Sequence, residues 1–156
     1  MKICVFSDSH GSAQPMIAAI EREQPQLCFF LGDGERDLTA VRTRYPDLPF
    51  YAVRGNCDAN SGLSASLTCA VGGVRIFAAH GHQYNVKYEP ALESLADAAR
   101  DAGASVALFG HTHCSRMERQ GELLLFNPGT VGRGAHPGYG LLYLDEGAVQ
   151  AQLMAL

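Results

Sequence analysis

The feature that most constrains this chain is a repeated change of texture, in which short apolar runs stop abruptly on glycine, aspartate or histidine. Residues 2–6 (KICVF) stop at Ser7-Asp8-Ser9-His10, residues 27–31 (LCFFL) at Gly32-Asp33, and residues 50–53 (FYAV) just before Gly55-Asn56-Cys57-Asp58. Residues 74–79 lead into His80-Gly81-His82, and residues 104–109 into Gly110-His111-Thr112-His113. The first two runs, short and without clear alternation, read as strands covered on both faces, and the others read as strands. Polar clusters at the carboxyl end of each run place a site along one sheet edge, where rigid folds carry function on loops. Five of the six histidines fall inside these corners. Imidazole is the commonest protein metal ligand, so the corners predict metal binding.

Between the runs the pattern alternates strand with helix. Ser12 is expected to cap a helix with Met16, Ile17 and Ile20 inward that stops before Pro25. A second helix is predicted over 37–45 with Leu38 and Val41 inward, and a third over 89–101 with Leu92, Leu95, Ala96 and Ala99 at helical spacing. Residues 67–71 and 74–79, joined at Gly72-Gly73, predict a hairpin. The tail changes character, and residues 115–119, 122–126, 138–144 and 149–154 read as antiparallel strands. A parallel first half and a hairpin-rich second half suggest two packed sheets with helices outside each.

The chain has 156 residues, 47% of them hydrophobic, which suits one domain spanning 1–156. Its twelve lysines and arginines are scattered and its net charge is −4, which argues against an extended nucleic-acid surface. The opening apolar run turns polar at Ser7, too early for a signal peptide, and no run approaches the ~20 residues of a membrane span. A cytoplasmic protein is expected, and five cysteines without paired spacing fit reduced thiols. Cys4, Cys28 and Cys69 read as core filler.

A hydrolytic dinuclear centre needs oxygen and nitrogen ligands from several strands, one carboxylate able to bridge, and open positions. Asp8, His10, Asp33, Asn56, His80, His111 and His113 make a sufficient set. No single pair is specific, but the ordered series Asp-x-His, Gly-Asp, Gly-Asn-x-Asp, His, Gly-His-x-His, each after an apolar run, has little chance of arising at random.

On those motifs the chain resembles the calcineurin-like metallophosphoesterase superfamily, and within it the small single-domain bacterial and archaeal phosphodiesterases. The likeness runs from Asp8 to Asn127-Pro128-Gly129-Thr130. It implies a four-layer αββα sandwich of two mixed sheets flanked by helices. It implies that Asp8, His10 and His113 hold one metal, that Asn56, His80 and His111 hold the other, and that Asp33 bridges them. The implied activity is hydrolysis of a small phosphodiester by in-line attack of water placed between two divalent metals. Asp33, Asn56, Cys57 and His82 would then stand at the reacting centre. With no assigned thiolate, the donors favour manganese first, then iron, nickel or zinc, over calcium or magnesium.

Cys57 departs from the fuller pattern, in which many members carry histidine, the expected leaving-group acid, at that place. A thiol suits that role less well near neutral pH. The small phosphodiesterase subgroup that the chain resembles often carries this same cysteine, which implies a diester, and Cys57 could instead be inert filler or a further metal ligand. Phosphomonoester hydrolysis on the same site stays as the alternative, as does a non-enzymatic protein-binding scaffold resembling the retromer subunit of this fold.

Blander readings stand beside these. Asp8 could be a helix cap, and His82 could either contact phosphate or orient its loop. Asn127 with Pro128-Gly129 is most simply a turn residue, and its place near the expected site keeps a supporting role behind the ligands open. Arg36, Arg54, Arg133, Tyr84 and His136 are phosphate contacts or surface groups, and Cys114 is packing with an exposure to oxidation. Spacing rules out three rivals: His10 stands where a haloacid-dehalogenase-type phosphatase needs aspartate, Leu63 where a cysteine phosphatase built on Cys57 needs arginine, and Tyr84-Asn85 where a metallo-β-lactamase-type site needs its next ligands. A homo-oligomer is left open, and the natural substrate is not written in these motifs.

Overall fold

Strand β1 (Lys2–Phe6) is fully buried from Ile3 onward, which explains its lack of alternation. It leads to helix α1 (Gln14–Glu23), strand β2 (Leu27–Phe30), helix α2 (Glu35–Arg44) and strand β3 (Phe50–Ala52). Next come the hairpin β4 (Ser66–Val71) and β5 (Val74–Ala79), helix α3 (Glu93–Asp101) and strand β6 (Val106–Leu108). The tail forms β7 (Arg116–Gln120), β8 (Leu123–Asn127), β9 (Gly138–Asp145) and β10 (Ala148–Ala155). These elements come from a computed structural model that describes residues 1–156.

The strands form two mixed five-stranded sheets, ordered β10-β9-β1-β2-β3 and β4-β5-β6-β8-β7. In the first, β1, β2 and β3 run parallel while β9 lies antiparallel to β1. In the second, β5, β6 and β8 run parallel and the edges β4 and β7 are antiparallel. Three apolar layers show the stacking. Val5, Phe29, Ile76, Leu124 and Phe126 fill the space between the sheets. Met16, Ile20, Leu38 and Val41 of α1 and α2 cover Phe6 and Phe30 on one outer face, and Leu95 and Ala99 of α3 cover Phe77 and Ala107 on the other. The predicted αββα sandwich is thus observed. Each fully buried Phe or Leu contributes roughly 1.5–3 kcal/mol, so the three layers, rather than helix propensity, hold the elements.

Several expectations are corrected. Ser12 caps nothing, because α1 starts at Gln14 with Pro15 in its first turn and Ala13 before it. Ile17 is only half-buried, unlike Met16 and Ile20. Helix α3 begins at Glu93 rather than residue 89, since Leu92 takes φ 54° and Glu89 turns back to accept from the Ser94 N–H and hydroxyl. The tail is not purely antiparallel: β8 runs parallel to β6, and the β9–β10 pair crosses over to join the first sheet beside β1. No helix is long and apolar enough to cross a membrane.

Candidate metal centre

Because β1, β2 and β3 are parallel in one sheet, and β5, β6 and β8 in the other, their carboxyl ends line one rim of the sandwich. His80, following β5, reaches across to the first sheet, its Nδ1 donating to the Leu31 carbonyl at 2.7 Å. That bond fixes the tautomer and leaves the Nε2 lone pair facing the rim. Asn56 Oδ1 lies 3.1 Å from this nitrogen and His111 Nδ1 lies 3.2 Å from it. A second group faces it: His113 Nε2 is 3.1 Å from both His10 Nε2 and Asp8 Oδ1.

Asp33 Oδ2 stands between the groups, 3.4 Å from His80 Nε2 and 3.9 Å from His10 Nε2. Its other oxygen accepts the Cys57 N–H at 2.8 Å, so one oxygen of the carboxylate is left for the site. Asp8 shows the same asymmetry. Its Oδ2 accepts from the Ser7 hydroxyl and the His111 N–H, while Oδ1 is buried with no hydrogen-bond partner. An orphaned carboxylate oxygen in the interior is costly. A cation beside His10 and His113 would satisfy it, and the donor atoms of Asp8, His10 and His113 lie within 4.8 Å of one another. The same spacing holds for Asp33, His80 and His111, and for His10, Asp33 and Cys57.

The backbone here is strained. Asp8, His10, Asp33, His111 and His113 have φ of 57°, 44°, 60°, 67° and 58°, in the left-handed region that costs non-glycine residues on the order of 1 kcal/mol each. Such strain persists only where the surroundings over-determine it. Glycines make room for it: a Cβ on Gly55 would overlap Asp33 Oδ1, and one on Gly110 would overlap the Ser7 hydroxyl.

Charge follows burial. Asp8, Asp33 and His80 form the deep wall, and His10 and His113 the half-exposed mouth. Burial pushes the Asp33 carboxyl up, but the His80 imidazole and the Cys57 N–H outweigh it and hold the group well below the usual carboxylate range. Burial pulls His80 down, yet Asp33, Asp8 and the Leu31 carbonyl leave it raised. His111 is pulled down to about 4 by burial, then by Lys87, His80 and His82. Burial, then Asp33, Asp58 and Asp8, push the Cys57 thiol up.

All seven residues predicted as ligands meet at this rim. Cys57 lies at its edge, where Asn56 Nδ2 donates to its sulfur. His82 packs 5.5 Å from the His80 ring and 6.0 Å from that of His111, with Nδ1 buried and unpartnered. A cleft of about 400 Å³ opens beside them, lined by His10, Asp33, Arg36, Asp37 and Cys57. Arg54 and Arg133 are exposed and make no hydrogen bond through their side chains. Tyr84 instead packs edge-on against Phe77 at 5.8 Å, and His136 lines a different groove with Ser115 and Met154. Asp8 is not a helix cap.

Supporting roles went unread in the sequence, although Asp58 and Thr130 stand in its motifs. Asp58 accepts four backbone N–H groups, from Asp33, Gly34, Glu35 and Gly55, tying the exits of β2 and β3 together. Asp37 accepts from the Ser9 hydroxyl and Gly11 N–H, and Thr130 donates to the Asp8 carbonyl. The available signal was proximity, since Ser7 and Asp58 flank ligand positions. Their burial is a property of the fold.

The chain is similar to known proteins over nearly its whole length. Residues 1–147 match the calcineurin-like phosphoesterase superfamily domain. The chain is 30% identical to the probable metallophosphoesterase YsnB of Bacillus subtilis, covering 84% of this chain and 75% of that protein. It is 30% identical to phosphodiesterase YfcE of Escherichia coli, covering 93% and 89%. Vps29 of Entamoeba histolytica, solved in complex with zinc, shares the fold at a TM-score of 0.78 and 22% identity, over 99% of each chain. A rim of paired aspartates and histidines on this sandwich and a family match over nearly the whole chain agree, and the chain belongs to the calcineurin-like phosphoesterase superfamily.

Proposed function

We propose that this chain is a metal-dependent phosphodiesterase acting on a small phosphodiester. The observation that carries the reading is the position of Asp33 Oδ2 between two groups of nitrogen and oxygen donors. Asp8, His10 and His113 would hold one divalent ion, Asn56, His80 and His111 the other, with Asp33 shared. Two such ions supply Lewis acidity toward phosphate oxygens and lower the pKa of water to near neutrality. Nitrogen and oxygen donors beside a protonated thiol suit manganese, and also iron, nickel or zinc.

The chain's own residues divide the remaining work. Asn56 presents Oδ1 to the rim because its amide nitrogen is turned to Cys57. Cys57, its thiol pushed up, stays neutral and adds no negative charge where a phosphate must approach. Arg36 lines the cleft and offers the one cationic side chain among the residues around it besides histidine. A diester carries one negative charge where a monoester carries up to two, which suits a cleft also lined by Glu35, Asp37 and Asp58. The test is metal analysis of the purified protein, then turnover of bis(4-nitrophenyl) phosphate and 4-nitrophenyl phosphate with and without manganese. Manganese-dependent cleavage favouring the diester supports the reading. A protein that binds no metal and cleaves neither compound overturns it in favour of a protein-binding scaffold.

A further inference from the structure

The two histidines of Gly110-His111-Thr112-His113 serve opposite groups: His111 Nδ1 is beside His80, and His113 Nε2 beside His10 and Asp8. Residues two apart in an extended strand would point the same way. Here left-handed φ at both histidines turns them apart, and something must hold that turn. The residue beneath it is Asn127, at the end of β8 and fully buried. Its Nδ2 donates to the Gly110 carbonyl and to the Thr112 hydroxyl oxygen, both at 3.0 Å. Its Oδ1 accepts the Gly129 N–H at 2.8 Å. A carbonyl on one side and an N–H on the other leave a single orientation for the amide. Thr112 closes the turn, its N–H bonding Gly110 O at 2.8 Å and its hydroxyl donating to the Cys114 carbonyl and accepting from the Cys114 N–H.

We propose that Asn127 is a positioning residue that divides His111 and His113 between the two halves of the metal centre, through its paired bonds to Gly110 and Thr112. It touches neither group itself. Asparagine suits the place because two donors and one acceptor are needed on one planar group; aspartate would turn a carboxylate oxygen toward the Gly110 carbonyl. This rests on the metal-centre reading above.

The test is cobalt(II) titration of the wild-type, Asn127→Asp and Thr112→Val proteins, following the visible d–d bands and the endpoint, with circular dichroism reporting fold. Wild-type protein should take two equivalents. Asn127→Asp should bind at least one of them about 10–100-fold more weakly, as for other residues that orient ligands, with altered band positions in protein that remains folded. Thr112→Val, which removes one of the two acceptors, should shift the same bands by less. Wild-type endpoint and spectrum in folded Asn127→Asp would overturn the proposal. Should Asn127→Asp fail to fold, an unchanged spectrum in Thr112→Val overturns it equally. A wild-type protein that takes up no cobalt would instead remove the metal centre, a distinguishable failure.

Discussion

His10 and His113, separated by 103 positions in the chain, bring their Nε2 atoms to 3.1 Å. Two neutral imidazoles can share one hydrogen bond, but Asp8 Oδ1 also faces this pair, 3.6 Å from His10 and 3.1 Å from His113, and has no donor of its own. Lone pairs gathered in this way repel unless a cation lies among them. Metal removal should therefore lower stability. Manganese at 100 times its dissociation constant adds about 2.7 kcal/mol, or roughly 5–10 °C in a chain of this size. Thermal unfolding with chelator and with manganese checks this, and coincident curves would contradict it.

Asp33→Ala should reduce activity more than any other single ligand substitution, by more than about 100-fold, because in the proposed centre one of its oxygens would serve both halves, while loss of a residue that only orients ligands costs about 10–100-fold. Steady-state rates for Asp33→Ala and Arg36→Ala decide the point. Equal, mild effects at the two positions would remove the shared role of Asp33.

Asp58→Asn should destabilise the fold by roughly 1–3 kcal/mol, the range for leaving buried donors with a poorer acceptor. Four N–H groups hold this carboxyl below its ordinary range against the opposing effect of burial, so its contribution is present near neutrality and lost as pH falls through the depressed pKa. The urea midpoint should drop without a change in slope.

Acid should affect folding and activity separately. His111 takes a proton in the unfolded chain near its ordinary pKa of ~6.5, while the folded chain resists until about 4, so metal-free stability should decline as pH falls between those values. His80, raised by Asp33, Asp8 and the Leu31 carbonyl against burial, opposes this: its contribution is present in acid and fades as pH rises through its folded pKa. His111→Asn should flatten the decline measured by denaturant titration at several pH values. Turnover should fall below about pH 6, where protons compete with metal for imidazole. A flat acid limb in chelator-free buffer would contradict this.

Cys57→His should raise monoester hydrolysis relative to diester hydrolysis, since imidazole near pKa ~6.5 donates a proton to a leaving group more readily than a thiol of ~8.5. Here burial and three nearby carboxylates push the thiol higher still. The ratio of rates on the two nitrophenyl esters is the readout, and an unchanged ratio would exclude Cys57 from the reaction.

The corners Asp8-Ser9-His10, Gly32-Asp33, Gly55-Asn56, His80 and Gly110-His111-Thr112-His113 were legible from the sequence alone, because a buried strand ending in a polar cluster is a local pattern. The hairpin at Gly72-Gly73 was legible for the same reason, with φ of 55° and 77° that glycine adopts freely. Other features required the folded chain. The β9–β10 pair joins the first sheet rather than the second, and Ser7, Asp58, Asn127 and Thr130 hold the corners from beneath. Sheet order and buried hydrogen bonds depend on contacts between residues up to 143 positions apart, and hydrophobic periodicity carries no record of them. Sequence named the residues of the rim, and its resemblance to a family put His111 and His113 on opposite sides; tertiary packing alone decided which buried bonds hold the two apart, because those bonds join β8 to the turn after β6.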